Sequence, residues 1–403
     1  MSEPQILHIS TVHGPLDGRI YYKEVRSLHD AGFHVGIAGT QATIGEHDGV
    51  RILPLGNRGG PRWKRLGRDL RAMLVMLAHP NSILHIHDPE LLLAALVPAY
   101  LGRTLVYDVH EFYLERIADS EWIPRPLRRA LSRVYDVLER LALRRFAGVV
   151  IVAEAMRERY RELVGDDRVA LVRNFPYISP AEMAAIRASA HPLGGTPYIL
   201  HTGGASRLRA FHTMVAAAEY LRARGCSWPI VNLGPIDLSP YGEGTADLLD
   251  RAQRADVRNV GLVTQETAWS YVAHAAIGYM PLIDVENNAR GMPNKLFENL
   301  MFGLPLVGMD LGNIAAIIKA SGAGIVVPPE DANAHGEALL RLARDEGLRA
   351  SFAANCAAAG ARYSFHGELT RLTALYEHIT DSARPTFPTA RTPGPLRRSS
   401  SSA

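Results

Sequence analysis

Residues 83–110 read ILHIHDPELLLAALVPAYLGRTLVYDVH. A short apolar run over 83–87 gives way at Asp88-Pro89 to a segment long enough for a helix over 90–101, and a second strand-like run follows over 104–109. Two largely apolar strands joined by a helix are the building unit of a parallel sheet covered on both faces.

Outward from that unit the alternation continues almost from end to end. Strands are expected at 6–10, 35–38, 51–54 and 149–152, and helices over 21–31, 65–78 and 125–146. After a run at 169–172 the chain becomes rich in Ala, Pro and Gly up to 197, with a break at His191-Pro192-Leu193-Gly194-Gly195. The spacing therefore predicts one domain over 1–190 and a second over 191–365, with strands at 198–202, 230–233, 276–280, 306–309 and 324–327. A last amphipathic helix is expected within 366–382. The segment 383–403, dominated by Pro, Thr, Arg and Ser, has too little apolar surface to fold alone and reads as a disordered tail. The class is α/β, with two similar units in tandem.

With 403 residues, 47% hydrophobic and 21% charged, the chain can bury a sizeable core. Two cysteines, Cys226 and Cys356, supply neither a disulfide framework nor the paired spacing of a structural zinc site. The first four residues carry no basic leader, and no apolar run approaches the roughly twenty residues of a membrane span, so the expectation is a cytoplasmic protein, at most peripheral to a membrane. A net charge of +3 without a reader motif does not suggest a nucleic-acid partner.

In open parallel sheets ligands bind beyond the carboxyl ends of the strands, so the loops there carry the chemistry. The first strand runs into Thr11-Val12-His13-Gly14-Pro15-Leu16-Asp17-Gly18-Arg19, which offers His13, Asp17 and Arg19 but no G-x-G-x-x-G, and that weakens a nicotinamide reading. Period-two alternation puts His85 and His87 on one face, and Asp88 before Pro89 reads as a helix N-cap. Although His85, His87, Asp88 and Glu90 are metal-ligand types, no further convergent ligand is evident and no metal is expected. His110 follows the next strand, between Asp108 and Glu111, placed to orient a sugar hydroxyl or assist proton transfer, or else simply to bond the backbone. In the second half Gly203, Gly204, Ser206, Arg207 and Arg209 precede a helix from about 211 to 224, a good cradle for a diphosphate. Pro293 starts and Gly303 stops another helix, whose first turn offers Asn294, Lys295 and Glu298 beside a polar loop holding Arg290.

These residues resemble glycosyltransferase family 4, the retaining nucleotide-sugar enzymes of the GT-B fold. The resemblance is carried by VHGPLDGRIYYKEVRSLHDAGFHV, by HIHDPELLLAAL with VYDVHEFY, by ILHTGGASRLRAFHTMVAAAEYL and, most specifically, by MPNKLFENLMFGLPLV. It implies two Rossmann-like domains facing a cleft, the first holding the acceptor beside His13, Asp17, Arg19 and His87, the second a nucleoside diphosphate sugar, with a terminal helix crossing back. It places His110 catalytically at the donor sugar, Arg209 on the diphosphate and Glu298 on the nucleotide ribose. Two positions depart from the pattern. Arg290 stands where the family has the first of two Glu with seven residues between them, and Gly204 stands where it has an Arg five residues before the phosphate cation.

The implied reaction is transfer of a sugar to a hydroxyl acceptor with retention and without a metal or other cofactor, in polysaccharide, glycolipid or glycosylated-metabolite synthesis. The alternatives are a non-catalytic nucleotide-sugar-binding protein of the same fold and a GT-B sugar-nucleotide epimerase. Basic residues cluster at 62–71 and 125–145, with Trp63 and Trp122 as candidate interfacial anchors. A lipid-linked acceptor at an anionic inner leaflet accounts for that placement, and solvated helix faces are the other reading.

Overall fold

The computed structural model describes residues 3–57, 63–118, 124–285, 288–289 and 292–382. Arg290, Trp122 and the proposed tail at 383–403 lie outside the described residues, and only the backbone of Trp63 is described. Two compact units form: a first that runs to Tyr177 and is rejoined at Phe365, and a second over Ile178–Ser364.

The first unit is built on β1 (Ile6–Ile9), β2 (Val35–Thr40), β3 (Gly45–His47), β4 (Val50–Gly56), β5 (Ile83–Ile86), β6 (Leu105–Val109), β7 (Gly148–Ile151) and β8 (Val169–Leu171). Their order is β3-β4-β2-β1-β5-β6-β7-β8, parallel throughout except for the β3–β4 hairpin. The strand order reverses between β1 and β5, which makes the loops after them the natural ligand-facing ends.

Each face has its own core. On one, Leu7, Ile9, Leu84, Ile86 and Tyr107 pack against Ala72, Met76, Leu91, Leu92 and Leu143 of the covering helices. On the other, Ile6, Ile83, Val106 and Val150 meet Ile20, Tyr21 and Leu28 together with Phe365, Leu372 and Tyr376 of the last helix, Phe365–Ser382. The helix expected over 21–31 is a π-helical turn, Ile20–Val25, continuing as Arg26–Asp30.

The second unit orders β9 (Ile199–Thr202), β11 (Ile230–Leu233), β13 (Val257–Asn259), β14 (Ile277–Met280), β15 (Leu306–Met309) and β16 (Gly324–Val327) as β13-β11-β9-β14-β15-β16, all parallel. A separate two-stranded parallel sheet pairs β10 (Ala205–Ser206) with β12 (Ile236–Asp237). This unit begins at Ile178, ahead of the Pro- and Gly-rich break, because Ile178 and Ile186 join a core with Tyr198, Trp269 and Val272. Between them the helix Pro180–Arg187 is fixed by a capping box of Ser179 and Glu182. No helix among the described residues is long and apolar enough to cross a membrane.

Candidate active site

In the first unit the face that begins apolar with Ile6, Ile83 and Val106 turns polar two residues on, at His8, His85 and Asp108. His87 and His110 extend that row past the strand ends. Asp108 is the hub. Its carboxylate accepts from Arg19 Nε at 3.2 Å and Nη2 at 3.0 and 3.1 Å, lies 3.1 Å from His87 Nδ1 and 2.7 Å from His110 Nε2, and is fully buried. Burial works against its charge, but Arg19 first and His110 next hold the carboxyl well below the usual carboxylate range.

Arg19 Nη2 also lies 3.0 Å from Glu24 Oε1, without a hydrogen bond between them. Burial and the neighbouring Asp108 push the Glu24 carboxyl well above its ordinary value, which favours the neutral acid. Around it His8 Nδ1 lies 2.9 Å from His87 Nε2, and His85 Nδ1 2.6 Å from the Tyr376 hydroxyl. Burial above all holds His8, His85 and His87 below the ordinary imidazole value, so these rings are neutral spacers.

His8, Glu24, His85 and His87 gather within the reach of a metal ion, as do His87, Asp108 and His110. In the first group, however, His8 Nδ1 and His87 Nε2 already meet each other at 2.9 Å, and His85 Nδ1 lies 2.6 Å from the Tyr376 hydroxyl. In the second, Asp108 is already engaged by Arg19.

Asp88 does not cap its own helix, Leu91–Tyr100, as the sequence suggested. Its carboxylate reaches instead to the loop after β1, accepting from the Ser10 hydroxyl at 2.8 Å and the Thr11 and Val12 amides at 2.7 and 3.2 Å. A cap bonds forward into its helix, whereas here the adjacent strand presents three donors closer to hand. That clamp shapes the loop holding His13 and Asp17, which pair at 3.0 Å. Burial opposes the Asp17 charge, yet hydrogen bonds from His13 and from the Ile20 and Arg19 amides lower its carboxyl below the usual range. Of the four residues expected on the acceptor side, His13 and Asp17 are partly exposed, whereas Arg19 and His87 are buried in the Asp108 network. His110 is 14% exposed, open at one edge.

The second unit is arranged differently. Gly203 adopts φ +112°, and a Cβ there would lie 2.6 Å from Arg209 Nη1, so the guanidinium folds over the glycine. The helix Asn294–Phe302 starts at Pro293 and stops at Gly303, φ +75°, as its sequence signals indicated. In its first turn Asn294 is exposed, whereas Lys295 is 8% exposed and its Nζ has no hydrogen-bond partner. Burial, then the charge of Arg209, pulls the Lys295 ammonium down to about 7. His201 on β9 bonds the Tyr279 carbonyl oxygen through Nδ1 at 3.0 Å and is held well below its ordinary value by burial and by Lys295. Glu298 is half-buried, with the Gln265 amide 3.4 Å from it. Two cations beside a helix N-terminus, one with no protein partner, form a site short of an anion.

Residues 19–174 match the family model described as glycosyl transferase 4-like domain, and residues 196–345 match glycosyl transferases group 1; together they span about three quarters of the chain. The alpha-D-kanosaminyltransferase of Streptomyces kanamyceticus is 26% identical over 301 residues, covering 70% of this chain and 73% of that protein. Among solved structures, sucrose-phosphate synthase from Thermosynechococcus elongatus superposes with a TM-score of 0.61 at 18% identity, over 94% of this chain and 99% of its own. Anabaena HepE, in complex with UDP and glucose, gives 0.60 at 14% identity, over 93% and 99%. The chain belongs to glycosyltransferase family 4 and is a glycosyltransferase of the GT-B fold.

Proposed function

We propose that the enzyme takes its sugar from a nucleoside diphosphate sugar bound by the second unit and transfers it to a hydroxyl acceptor with retention of anomeric configuration. The observation that carries this reading is the buried Lys295 Nζ, unpartnered beside Arg209 at a helix N-terminus. A diphosphate supplies the missing charge. In the transition state negative charge grows on the departing diphosphate, and fixed cations with aligned amides stabilise it without reorganising. Gly203 and Gly204 let the chain approach the phosphates closely, Glu298 accepts hydrogen bonds from the ribose hydroxyls, and Asn294 donates or accepts at the helix start. The departing phosphate oxygen takes the acceptor hydroxyl proton on the same face of the sugar.

His110 is the residue we assign to the sugar near its reacting carbon, with Asp108 fixing its ring. The charges named leave no step that needs a divalent cation. The similarity to a kanosaminyltransferase and to HepE in complex with UDP and glucose supports the donor class.

A thermal-shift panel of UDP-, GDP-, ADP- and dTDP-sugars, with free nucleotides and NAD as controls and EDTA present, tests the donor. One nucleoside diphosphate series should raise Tm, and NMR of the product formed with that donor should show the donor's anomeric configuration retained. No shift with any of them, in folded protein, would reject the reading.

A further inference from the structure

Three helices cover one face of the first unit's sheet side by side: Trp63–Ala78, Leu91–Tyr100 and Arg125–Leu143. They are laced together, with Arg103 donating to the Leu77 carbonyl oxygen at 3.0 Å and the Arg145 guanidinium 4.6 Å from the centroid of the Tyr100 ring. Their inner sides fill the core with Ala72, Met76, Leu92, Ala95 and Leu143. Their outer sides are apolar as well. On the first, Leu66, Leu70 and Leu74 recur every fourth residue and are 67%, 54% and 54% exposed. Leu93 and Val97 continue the surface on the second, and Leu131, Val134 and Val137 form a stripe on the third. Solitary exposed leucines are ordinary, whereas stripes on three adjoining helices mark a surface built to be covered.

The charge beside these stripes identifies the cover. Residues 63–78 hold four basic and one acidic side chain, and residues 124–146 hold seven arginines against Asp136 and Glu139. Those segments carry +3 and +5, while the whole chain carries only +3, so all other residues sum to −5. The two acids of the longer segment face Arg159, with Asp136 Oδ1 2.7 Å from Nη2 and Glu139 also paired to it, while Asp136 Oδ2 accepts from Arg140 at 2.8 Å. On the third helix Arg129, Arg133 and Arg140 are exposed along one flank of the apolar stripe.

We propose that this three-helix face docks on an anionic lipid bilayer, its leucines and valines entering the headgroup boundary and its arginines reaching lipid phosphates. A second copy of the chain is the poorer occupant, since pairing two such faces sets arginine rows against each other. The surface belongs to the first unit alone and does not depend on the donor reading.

Flotation of the full chain with phosphatidylcholine vesicles, with and without one quarter phosphatidylglycerol, tests the proposal. The protein should float with the anionic vesicles at 50 mM salt and lose most of that binding at 500 mM. Leu70→Glu and Val137→Glu should each lower partitioning at least tenfold, with circular dichroism and thermal melting unchanged because both sites are exposed. Absence of flotation with anionic vesicles at low salt would overturn it. So would flotation indifferent to Val137→Glu, or a vesicle-free dimer in light scattering that the same substitution dissociates.

Discussion

The polar groups of the two units differ in how their charges are settled. In the first, Asp108 is met by Arg19, His87 and His110, and the buried imidazoles of His8, His85 and His87 are neutral. In the second, Lys295 and Arg209 are neighbours and the buried ammonium finds no carboxylate to hydrogen-bond. Asp108 is held by Arg19, although Arg19 Nη1 and both Glu24 oxygens beside it lack hydrogen-bond partners, whereas the Lys295 ammonium has no hydrogen-bond partner at all and is open to a ligand's charge. On the proposed reading positioning and binding are separable, and substitutions should reveal them separately.

The largest effect is expected at the hub. Asp108→Ala strands a buried guanidinium, a loss on the order of 3–5 kcal/mol, and frees the His110 ring. Turnover should fall at least a hundredfold, while nucleoside diphosphate binding, measured by calorimetry below the melting transition, stays within a few-fold of wild type. Loss of both together would break the separation.

Lys295→Met comes next. An ammonium drawn from 10.5 to about 7 destabilises the folded state by a few kcal/mol at neutral pH. The unfolded chain binds the extra proton between those values, so the penalty is complete below pH 7 and fades as pH rises toward 10.5. Removing the charge should raise the Tm of the free protein at pH 7 and abolish the donor-induced shift. A lower Tm would show that Lys295 is paired after all.

Gly203→Ala is a finer probe. Its Cβ would meet Arg209 Nη1 at 2.6 Å on a backbone at φ +112°, so the guanidinium must move, and donor affinity should fall roughly tenfold, about 1.4 kcal/mol. The smallest effect concerns acid. His8, His85 and His87 stay neutral when folded but titrate near 6.5 when unfolded, so stability should decline as pH falls through 6.5. Glu24, raised when folded, acts in the opposite sense above 4.5, and three imidazoles outweigh one carboxyl. Denaturant midpoints between pH 5 and 8 measure the slope.

Much of the fold was legible because buried parallel strands are continuous apolar runs with helical segments between them. β5, β6 and β9 fall within a residue or two of their expected places. The helix at Asn294–Phe302 was legible from its Pro and Gly ends. The unit boundary was less so, because Ile178 and Ile186 show their allegiance only through the core they join.

The residues proposed for the donor could be grouped from sequence because they follow one another within two short segments. The Asp108 network could not be assembled that way. Tyr376 meets His85 across 291 positions, and Glu24 comes from a π-helical turn with no local signature. The alternation of His85 and His87 hinted that the face turns polar, and His8, a polar residue inside an apolar strand, carries the same signal. Asp88 misled because the residue before a proline at a helix start looks like a cap whatever its side chain reaches.

A diphosphate that neutralises Lys295 leaves a calorimetric signature. Calorimetric titration of the nucleoside diphosphate selected by thermal shift, at pH 8 in two buffers of different ionisation enthalpy, counts protons taken up on binding. With the ammonium titrating near 7 in the free protein and raised by the bound anion, wild type should take up a large fraction of a proton and Lys295→Arg essentially none. Equal uptake in both would contradict the assignment of Lys295 to the donor phosphates.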